Sequence, residues 1–431
     1  MDQLDRYGLY EHRYEGIGEV NFAEGNPLPV YFDARQLRGA EIIIGYLTEG
    51  RLGGSFLVEP RELVGKTTDG RPFRTLGDLV TVRNRSANGV NQAELFAREI
   101  DIGEPVTEGP LYYPVRFALY NFVVGRQFRF RPGDINIEGK VFRAEIVAVD
   151  NYVSRAEELK HTHEFAHTAW CEVEPLRHVD GAFPLAAAAD FVDVIADALS
   201  LASGTLVTWH NLVVRDWTGK EAQIVHRAAV SKRFSSLLVS RDWSISPRET
   251  INAWFKPRDE TTFSREELRL YVRQHCEATQ DQPFLETRGL SAATLLDVMA
   301  GRYAELTNAE SSIDPVVWKK KVFPKLREAL DRSDLTVQQK GTVIESIRHQ
   351  YRTMFGVRLA KLLGDLELSI DPLVLRATLN SRNKLVHAGH FYQTDSSKHI
   401  SEYFRLLLLG RCVLLAAVGV ENDLVNRLVL D

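Results

Sequence analysis

The hydrophobic pattern of this chain changes once along its length, and that change is the strongest constraint on the fold. Up to about residue 178, short segments rich in β-branched and aromatic residues are separated by Gly, Pro, Asn and Asp, which is typical of strands and turns. From Ser291 onward, apolar residues recur every three to four positions, as in amphipathic helices. The pattern predicts a multidomain α+β protein with a β-rich N-terminal half and an all-α C-terminal bundle.

The length of 431 residues exceeds a typical single core and predicts two or three domains. We expect a β-rich domain over 1–178, an α+β region over 179–288 and a helical bundle over 289–431. In the middle region, the pattern predicts a helix over 183–204, ended by Gly204, then two strands and short helices over 248–256 and 264–277. This region is either a separate module or a continuation of the first domain.

The predicted bundle contains four or five antiparallel helices joined by short links. Ser291 is expected to cap the first helix, and Pro324 is expected to bend the second, over 315–331. A third helix is predicted over 335–355, followed by helices over 373–386 and 397–418. The residues predicted to face inward in the second and third helices are Trp318, Val322, Leu326, Leu330, Ile344, Ile347, Tyr351 and Met354.

Composition points to a protein of the cytoplasm. Cys171, Cys276 and Cys412 lie far apart and form no disulfide or metal-binding spacing, which favours a reducing compartment. The first residues lack the apolar core of a secretory signal. The most apolar run, 406–420, is interrupted by Gly410 and Arg411 and is too short to span a bilayer. We therefore expect no membrane association, and we expect no cofactor and no metal.

Positive charge is concentrated in one region. Residues 316–361 contain eleven Lys or Arg and four acidic residues, a balance of +7, whereas the whole chain carries −5 and the remainder therefore −12. Such an asymmetry lets one surface attract a polyanion while the rest keeps the protein in solution. Lys319, Lys320 and Lys321 begin this region and are candidate RNA-binding residues; the alternative is a solvated helical face.

The run RNKLVH at 382–387 carries the side chains best suited to chemistry. Cleaving RNA without a metal requires activation of a 2′-hydroxyl, stabilisation of the charged phosphorane and protonation of the leaving 5′-oxygen. Arg382 would supply a permanent, planar cation for the phosphate, and His387 would transfer protons near neutral pH. Lys384 and His390 are close enough in sequence to contact substrate, and Tyr392 is a further candidate of this kind.

The spacing of this motif predicts that one chain does not complete the site. Residues five positions apart on a regular helix differ by roughly 140° in direction, so Arg382 and His387 would not share a face. They converge only if the helix ends or distorts between them, or if a second copy contributes. Gly389 is placed to end the helix just after His387. We therefore expect a homodimer, or a higher assembly of dimers, with two motifs facing one cleft.

The motif and its helical surroundings resemble the HEPN superfamily of nucleases, whose pattern is an arginine followed directly by a polar residue, with a histidine after four to six intervening residues. The resemblance implies that Arg382 and His387 are the catalytic pair, that Asn383 supports them, and that the active form is a dimer. The wider layout resembles ApeA-type anti-phage defence proteins. It implies an N-terminal region that senses a phage-derived trigger and a nuclease that halts translation by cutting RNA, including tRNA.

Two other interpretations remain. The bundle is a non-catalytic dimerisation or binding module if the Arg–His pair only ties helices together. The run HEFAH at 163–167 matches H-E-x-x-H, which on a helix presents two histidines to one zinc ion beside a glutamate base. The polar residues before it and the strand-like residues after it argue against a zinc protease. An incidental metal site would use His161, His163 and His167, and Glu172 or Glu174 would be the third protease ligand.

Overall fold

The computed structural model describes residues 15–20, 28–35, 64–66, 70–76, 80–87, 90–97, 99–104, 114–123, 129–137, 140–162, 166–175, 185–216, 218–227, 245–256, 263–280, 284–348 and 353–429. Contacts divide the chain into two compact units. The sheet unit comprises 1–159, 165–196 and 207–232, and the helical unit comprises 160–164, 197–206 and 233–431. The three-domain division at 178 and 288 stays a prediction, and the strand-like segments at 40–48 and 54–59 lie outside the described residues.

The described strands of the sheet unit form two antiparallel sheets. The smaller sheet has the order β1-β2-β6-β5 and the larger has the order β3-β4-β7-β13-β12-β8-β11-β10-β9. The strands are β1 Glu15–Val20, β2 Leu28–Arg35, β3 Val64–Lys66, β4 Pro72–Leu76, β5 Val80–Ala87, β6 Val90–Ala97, β7 Glu99–Gly103, β8 Val115–Tyr120, β9 Arg129–Ile137, β10 Lys140–Ala148, β11 His167–Pro175, β12 Thr208–Arg215 and β13 Glu221–Arg227. The predicted order of a strand-rich first half followed by helices is confirmed, and the described strands pair antiparallel.

Two helices occur between strands along the sequence. Helix α1 Tyr152–Thr162 follows β10, and helix α2 Leu185–Ser203 follows β11. The first part of α2 covers the larger sheet, where Phe191 stacks on Phe142 of β10 at 5.9 Å between ring centroids. Asp193 of the same helix accepts a hydrogen bond from the Trp209 indole at 2.8 Å and pairs with Arg227 at 2.9 Å. The apolar contact supplies burial, and the carboxylate satisfies the polar groups that the contact desolvates.

The middle region follows the pattern of its sequence. Helix α2 ends at Ser203, where Gly204 takes a positive φ of 70° and its N–H donates to the Ser200 carbonyl at 2.7 Å. This confirms the predicted stop, since glycine takes the left-handed conformation without a Cβ penalty. The two predicted strands are β12 and β13, and the two predicted helices are α3 Pro247–Phe255 and α4 Arg265–Thr279.

The helical unit is built around one long central helix, α5 Leu285–Leu306. It packs against α4, α9, α10 and α11, and its buried face is formed by Ala292, Leu296, Met299, Ala300 and Tyr303. The remaining helices are α6 Pro315–Val317, α7 Phe323–Asp331, α8 Val337–Ile347, α9 Phe355–Asp365, α10 Pro372–Ala388, α11 Ser396–Val418 and α12 Asn422–Val429. Among the described helices, none has the length and apolar content that a membrane span requires.

The start of α5 corrects one expectation. Ser291 is not an N-cap, because α5 begins six residues earlier at Leu285, and Phe284 at the cap position makes no side-chain hydrogen bond. The Ser291 hydroxyl instead donates to the Thr287 carbonyl of the preceding turn at 3.1 Å. A serine inside a helix satisfies its hydroxyl in this way, so the residue type alone did not mark the boundary.

The segment from 315 to 348 also departs from expectation. Pro324 does not bend a single α-helix; it lies in the first turn of α7, and the preceding residues Trp318–Val322 form a π-helical turn. The wider turn accommodates a residue that has no N–H to donate. Helix α8 ends at Ile347, and Met354, which was expected to face inward, is 72% exposed before α9. Tyr351 lies outside the described residues.

Candidate functional site

Helix α10 carries the RNKLVH motif and has a defined start and end. The Asp371 carboxylate caps its N-terminus by accepting hydrogen bonds from the Leu373 and Val374 N–H groups at 2.6 and 3.3 Å. At the other end, Gly389 has a φ of 73° and donates to the Leu385 carbonyl at 3.0 Å. The α-helix is continuous from Pro372 to Ala388, so it neither ends nor distorts between Arg382 and His387.

Arg382 points into the helical unit and is only 7% exposed. Its Nη2 lies 2.9 Å from Oδ2 of Asp297 on α5, and its guanidinium carbon lies 4.5 Å from the centre of the Phe355 ring on α9. The carboxylate compensates the buried charge and the aromatic face adds a cation–π contact. Both partners come from other helices, so the arginine is fixed by tertiary packing.

One edge of the Arg382 guanidinium remains near the surface. Its Nη1 donates to the Asn383 Oδ1 at 3.1 Å, and Asn383 itself is exposed. Its Nε is buried and has no hydrogen-bond partner among the described atoms. Besides the pair with Asp297, the guanidinium therefore has Nη1 beside an exposed side chain and a buried Nε that no described group accepts from.

Asp297 faces a second cation. Nη2 of Arg358 on α9 lies 3.6 Å from the other carboxylate oxygen, Oδ1. Asp297, Phe355 and Arg358 were not singled out from the sequence. A carboxylate inside the apolar run LLDVMA was the available signal for Asp297, since an acid on a packed helix face needs a partner. The pairing of 297 with 382 spans 85 positions, and no local pattern predicts it.

His387 is exposed on α10, in contrast to the buried Arg382. Lys384 and His390 are also exposed, and His390 lies just beyond the helix, with its Nδ1 2.8 Å from the Phe391 carbonyl. One chain therefore brings Arg382 and Asn383 together but leaves His387 in solvent. Arg382 and His387 were expected to converge through a helix end or distortion, or through a second copy of the chain. Because α10 is regular between them, only the second copy remains.

Residues 315–348 comprise α6, the π-helical turn, α7 and α8, and we call them the basic hairpin. They contain the predicted RNA-binding lysines. Within these residues only Trp318 is buried. Lys319, Lys320 and Lys321 are exposed in the π-helical turn, and no ion pair within the described part of the chain involves them. No described hydrogen bond or ion pair joins these lysines to Arg382 or His387.

The HEFAH motif does not lie on one helix. Helix α1 ends at Thr162 and β11 begins at His167, while residues 163–165 lie outside the described residues. The His167 Nε2 is 3.0 Å from the Ala169 carbonyl, and burial lowers the pKa of this histidine to about 4. Glu172 pairs with Arg116 at 2.6 Å and Glu174 with Arg143 at 3.5 Å. The helical spacing that a zinc protease needs is therefore absent from this motif.

The incidental metal site through His161, His163 and His167 involves a residue outside the described part. Among the residues that the structure describes, no three His, Cys, Asp or Glu side chains cluster in a way that would hold a metal ion.

The comparisons with known proteins give no relative. No protein-family model matches the chain, and neither the curated proteins nor the solved structures contain a significant match.

Proposed function

We propose that this protein is a metal-independent endoribonuclease of the HEPN type, in which two copies of the motif from Arg382 to His387 form one cleft. The single observation that carries the proposal is the contrast between a fixed Arg382 and an exposed His387 on α10. Arg382 is fixed by Asp297 and Phe355 with its Nη1 beside the exposed Asn383, and His387 is exposed five residues later on a regular helix.

The chemistry follows from these two side chains. Arg382 stabilises the extra negative charge on the phosphorane, because a cation already oriented by its partners costs little reorganisation during the reaction. The His387 of one copy removes the proton of the 2′-hydroxyl, whose oxygen attacks the phosphorus beside Arg382 of the other copy, and the 5′-oxygen leaves with a proton from water. Asn383 accepts from Arg382 and supports its orientation, while Lys384 and His390 contact the RNA.

A homodimer explains why one chain is incomplete. Since Arg382 and His387 point in different directions on one helix, the arginine of one copy and the histidine of the other meet across a twofold axis. The basic hairpin is proposed to attract RNA, tRNA among the substrates, through its exposed lysines. In this proposal the protein acts in the cytoplasm as an abortive-infection effector, and its N-terminal region responds to a phage-derived trigger.

The test is RNA cleavage in EDTA by matched variants. Purified protein is incubated with tRNA and total RNA beside Arg382→Ala and His387→Ala. The controls are Arg376→Ala, an exposed arginine on the same helix, and His161→Ala, an exposed histidine outside the motif. We expect each motif variant to lose cleavage by about 10² to 10⁴-fold and both controls to retain it. Equal cleavage by all five proteins would remove the assignment.

A mixed dimer tests whether the cleft is shared. Arg382→Ala and His387→Ala chains, each carrying a different tag, are co-expressed and the doubly tagged dimer is purified. A cleft formed from the arginine of one copy and the histidine of the other regains one intact site, so cleavage returns in part. A mixed dimer as inactive as its parents would mean that each site uses both residues of one chain.

One observation favours a different function. Arg382 already has a carboxylate and an aromatic partner, which is enough to account for a purely structural arginine. The second candidate is therefore a non-catalytic HEPN-like dimerisation or binding module. It predicts that the wild-type protein dimerises but cleaves no RNA, with or without phage extract, and that Arg382→Ala weakens the fold or the dimer.

A further inference from the structure

The turn that follows His387 is anchored in the helical unit at residues 389–395. Phe391 is 1% exposed, and its ring lies where a side chain at Gly289 of α5 would be, since a Cβ there would be 2.8 Å from the Phe391 Cζ. The same ring lies 5.0 Å from the His399 ring on α11. The connection between α10 and α11 is therefore packed around one buried aromatic residue.

Glu402 of α11 holds the backbone of this turn. It is fully buried, and its two carboxylate oxygens accept hydrogen bonds from the N–H groups of Tyr392 and Gln393 at 2.9 and 2.8 Å. The His399 Nε2 donates to the Gln393 carbonyl at 2.9 Å, so the N–H and the carbonyl of Gln393 are both held by side chains of α11. No basic side chain among the described residues pairs with Glu402. Its burial is therefore compensated by backbone groups of the turn.

The side chains of the turn contrast with its backbone. Tyr392 is 47% exposed and His390 is exposed, although the main chain of Tyr392 and Gln393 is held by Glu402. Because the backbone that carries the Tyr392 ring is already fixed, binding would not have to remove backbone conformational freedom there. Proteins recognise single-stranded RNA by stacking unpaired bases on such rings, so this turn has the properties of a stacking surface.

We propose that Glu402 is a positioning residue that fixes the 389–395 turn, so that Tyr392 stacks on an unpaired nucleobase of the RNA beside His387. The nucleobase part rests on the proposed ribonuclease function, whereas the fixing of the turn does not. A purely structural glutamate would affect stability without changing how Tyr392 contributes to RNA binding.

Hydrogen exchange tests the fixing of the turn without RNA. The amide protons of Tyr392 and Gln393 are measured in the wild type, in Glu402→Gln and in Glu421→Gln, a control at an exposed glutamate beyond α11. Glutamine keeps one acceptor and places a donor against the other N–H, so at least one of the two amides should exchange tenfold faster or more. Amides in the middle of α11 should stay protected, which shows that the variant is folded. Unchanged exchange at both positions would overturn the proposal.

RNA binding tests the role of Tyr392. In a His387→Ala background, which is expected to bind without cutting, the affinity for a fluorescent single-stranded oligonucleotide is compared among Glu402→Gln, Tyr392→Ala, the double variant and Glu421→Gln. Loss of one stacked base should weaken binding about tenfold or more. Since Glu402 acts through Tyr392, the double variant should bind no more weakly than Tyr392→Ala, and Glu421→Gln should match its parent. If the loss of affinity in the double variant equals the product of the losses in the two single variants, Glu402 does not act through Tyr392 and the positioning role is overturned.

A background protein that does not bind the oligonucleotide at all would remove the nucleobase role together with the ribonuclease proposal. The exchange rates would still decide whether Glu402 fixes the turn.

Discussion

The packed helices around α5 and the basic hairpin belong to the same helical unit but are stabilised differently. In the packed helices, polar groups such as Arg382 and His275 are buried, and α4, α9, α10 and α11 all contact α5. In the hairpin, apolar residues remain exposed, including Val337 at 89% and Val316 at 56%. The packed helices therefore fix side-chain geometry, whereas the hairpin supplies exposed charge, so substitutions in the two regions should have different consequences.

The largest expected effect is a pH dependence that originates in the packed helices. His275 of α4 is fully buried, its ring nitrogens have no partner among the described atoms, and burial lowers its pKa to about 3, with the nearby Arg411 cation acting in the same direction. The unfolded chain binds a proton near pH 6.5, whereas the folded chain does so only near pH 3. The free energy of unfolding is therefore unaffected by this histidine above pH 6.5 and falls as the pH falls from 6.5 towards 3.

Urea unfolding at pH 7 and pH 4.5 measures this effect. The loss from His275 between the two pH values should be about 3 kcal/mol, and a His275→Leu variant should lack it. Val272→Ala on the same buried face of α4 should lose similar free energy of unfolding at both pH values, because it creates a cavity without removing a titrating group. A pH dependence equal in the wild type and in His275→Leu would show that the histidine is accessible to protons.

The next effect concerns the ion pair of Arg382. Asp297→Asn leaves a guanidinium that is only 7% exposed without its carboxylate. We expect the free energy of unfolding to fall by about 2 kcal/mol, less than for a fully enclosed pair because the Asp297 side chain is 36% exposed.

The matching substitution in the basic hairpin is Glu345→Gln, which removes the partner of Arg348 at 3.1 Å. Both of these side chains are exposed, so the denaturation midpoint should not change. Equal destabilisation by the two substitutions would contradict the contrast between the regions.

A smaller effect separates two helical glycines. At Gly289 of α5, a Cβ would lie 2.8 Å from Phe391, so Gly289→Ala should destabilise the protein by about 1–3 kcal/mol through overpacking. At Gly341 of α8 nothing lies within 4 Å, so Gly341→Ala should stabilise it by about 0.5–1 kcal/mol through helix propensity. Thermal and urea denaturation should show a lower stability than wild type for Gly289→Ala and a higher one for Gly341→Ala. A gain in stability at both positions would mean that Phe391 moves aside easily.

The elements that the sequence predicted well depend on local signals. Helices α10 and α11 were expected over 373–386 and 397–418 and are observed at Pro372–Ala388 and Ser396–Val418. Gly204 and Gly389 end their helices as predicted, because the left-handed conformation at a helix end favours glycine. Hydrophobic period and capping residues act within a few positions, so they can be interpreted without knowledge of the tertiary structure.

The features that the sequence did not reveal depend on distant contacts. The partners of Arg382 come from α5 and α9, and the backbone that Glu402 holds lies across a turn. The inward faces predicted for the basic hairpin include Leu326, which is 41% exposed, because an amphipathic period shows which side of a helix is apolar but not what covers it. The roles of Arg382, His387 and the other candidate site residues stay predictions.

The smallest effect on stability, and the most direct test of the hairpin, comes from its lysines. Lys319→Gln, Lys320→Gln and Lys321→Gln together remove three exposed charges from a turn in which only Trp318 is buried, so the denaturation midpoint should not move. RNA binding should weaken, and the slope of log affinity against log salt should fall by about 2, because each phosphate contact of a single strand contributes roughly 0.7. Lys398→Gln at an exposed position of α11 is the control and should keep the wild-type slope. An unchanged slope in the triple variant would place the RNA on another surface and would leave the hairpin as a solvated helical pair.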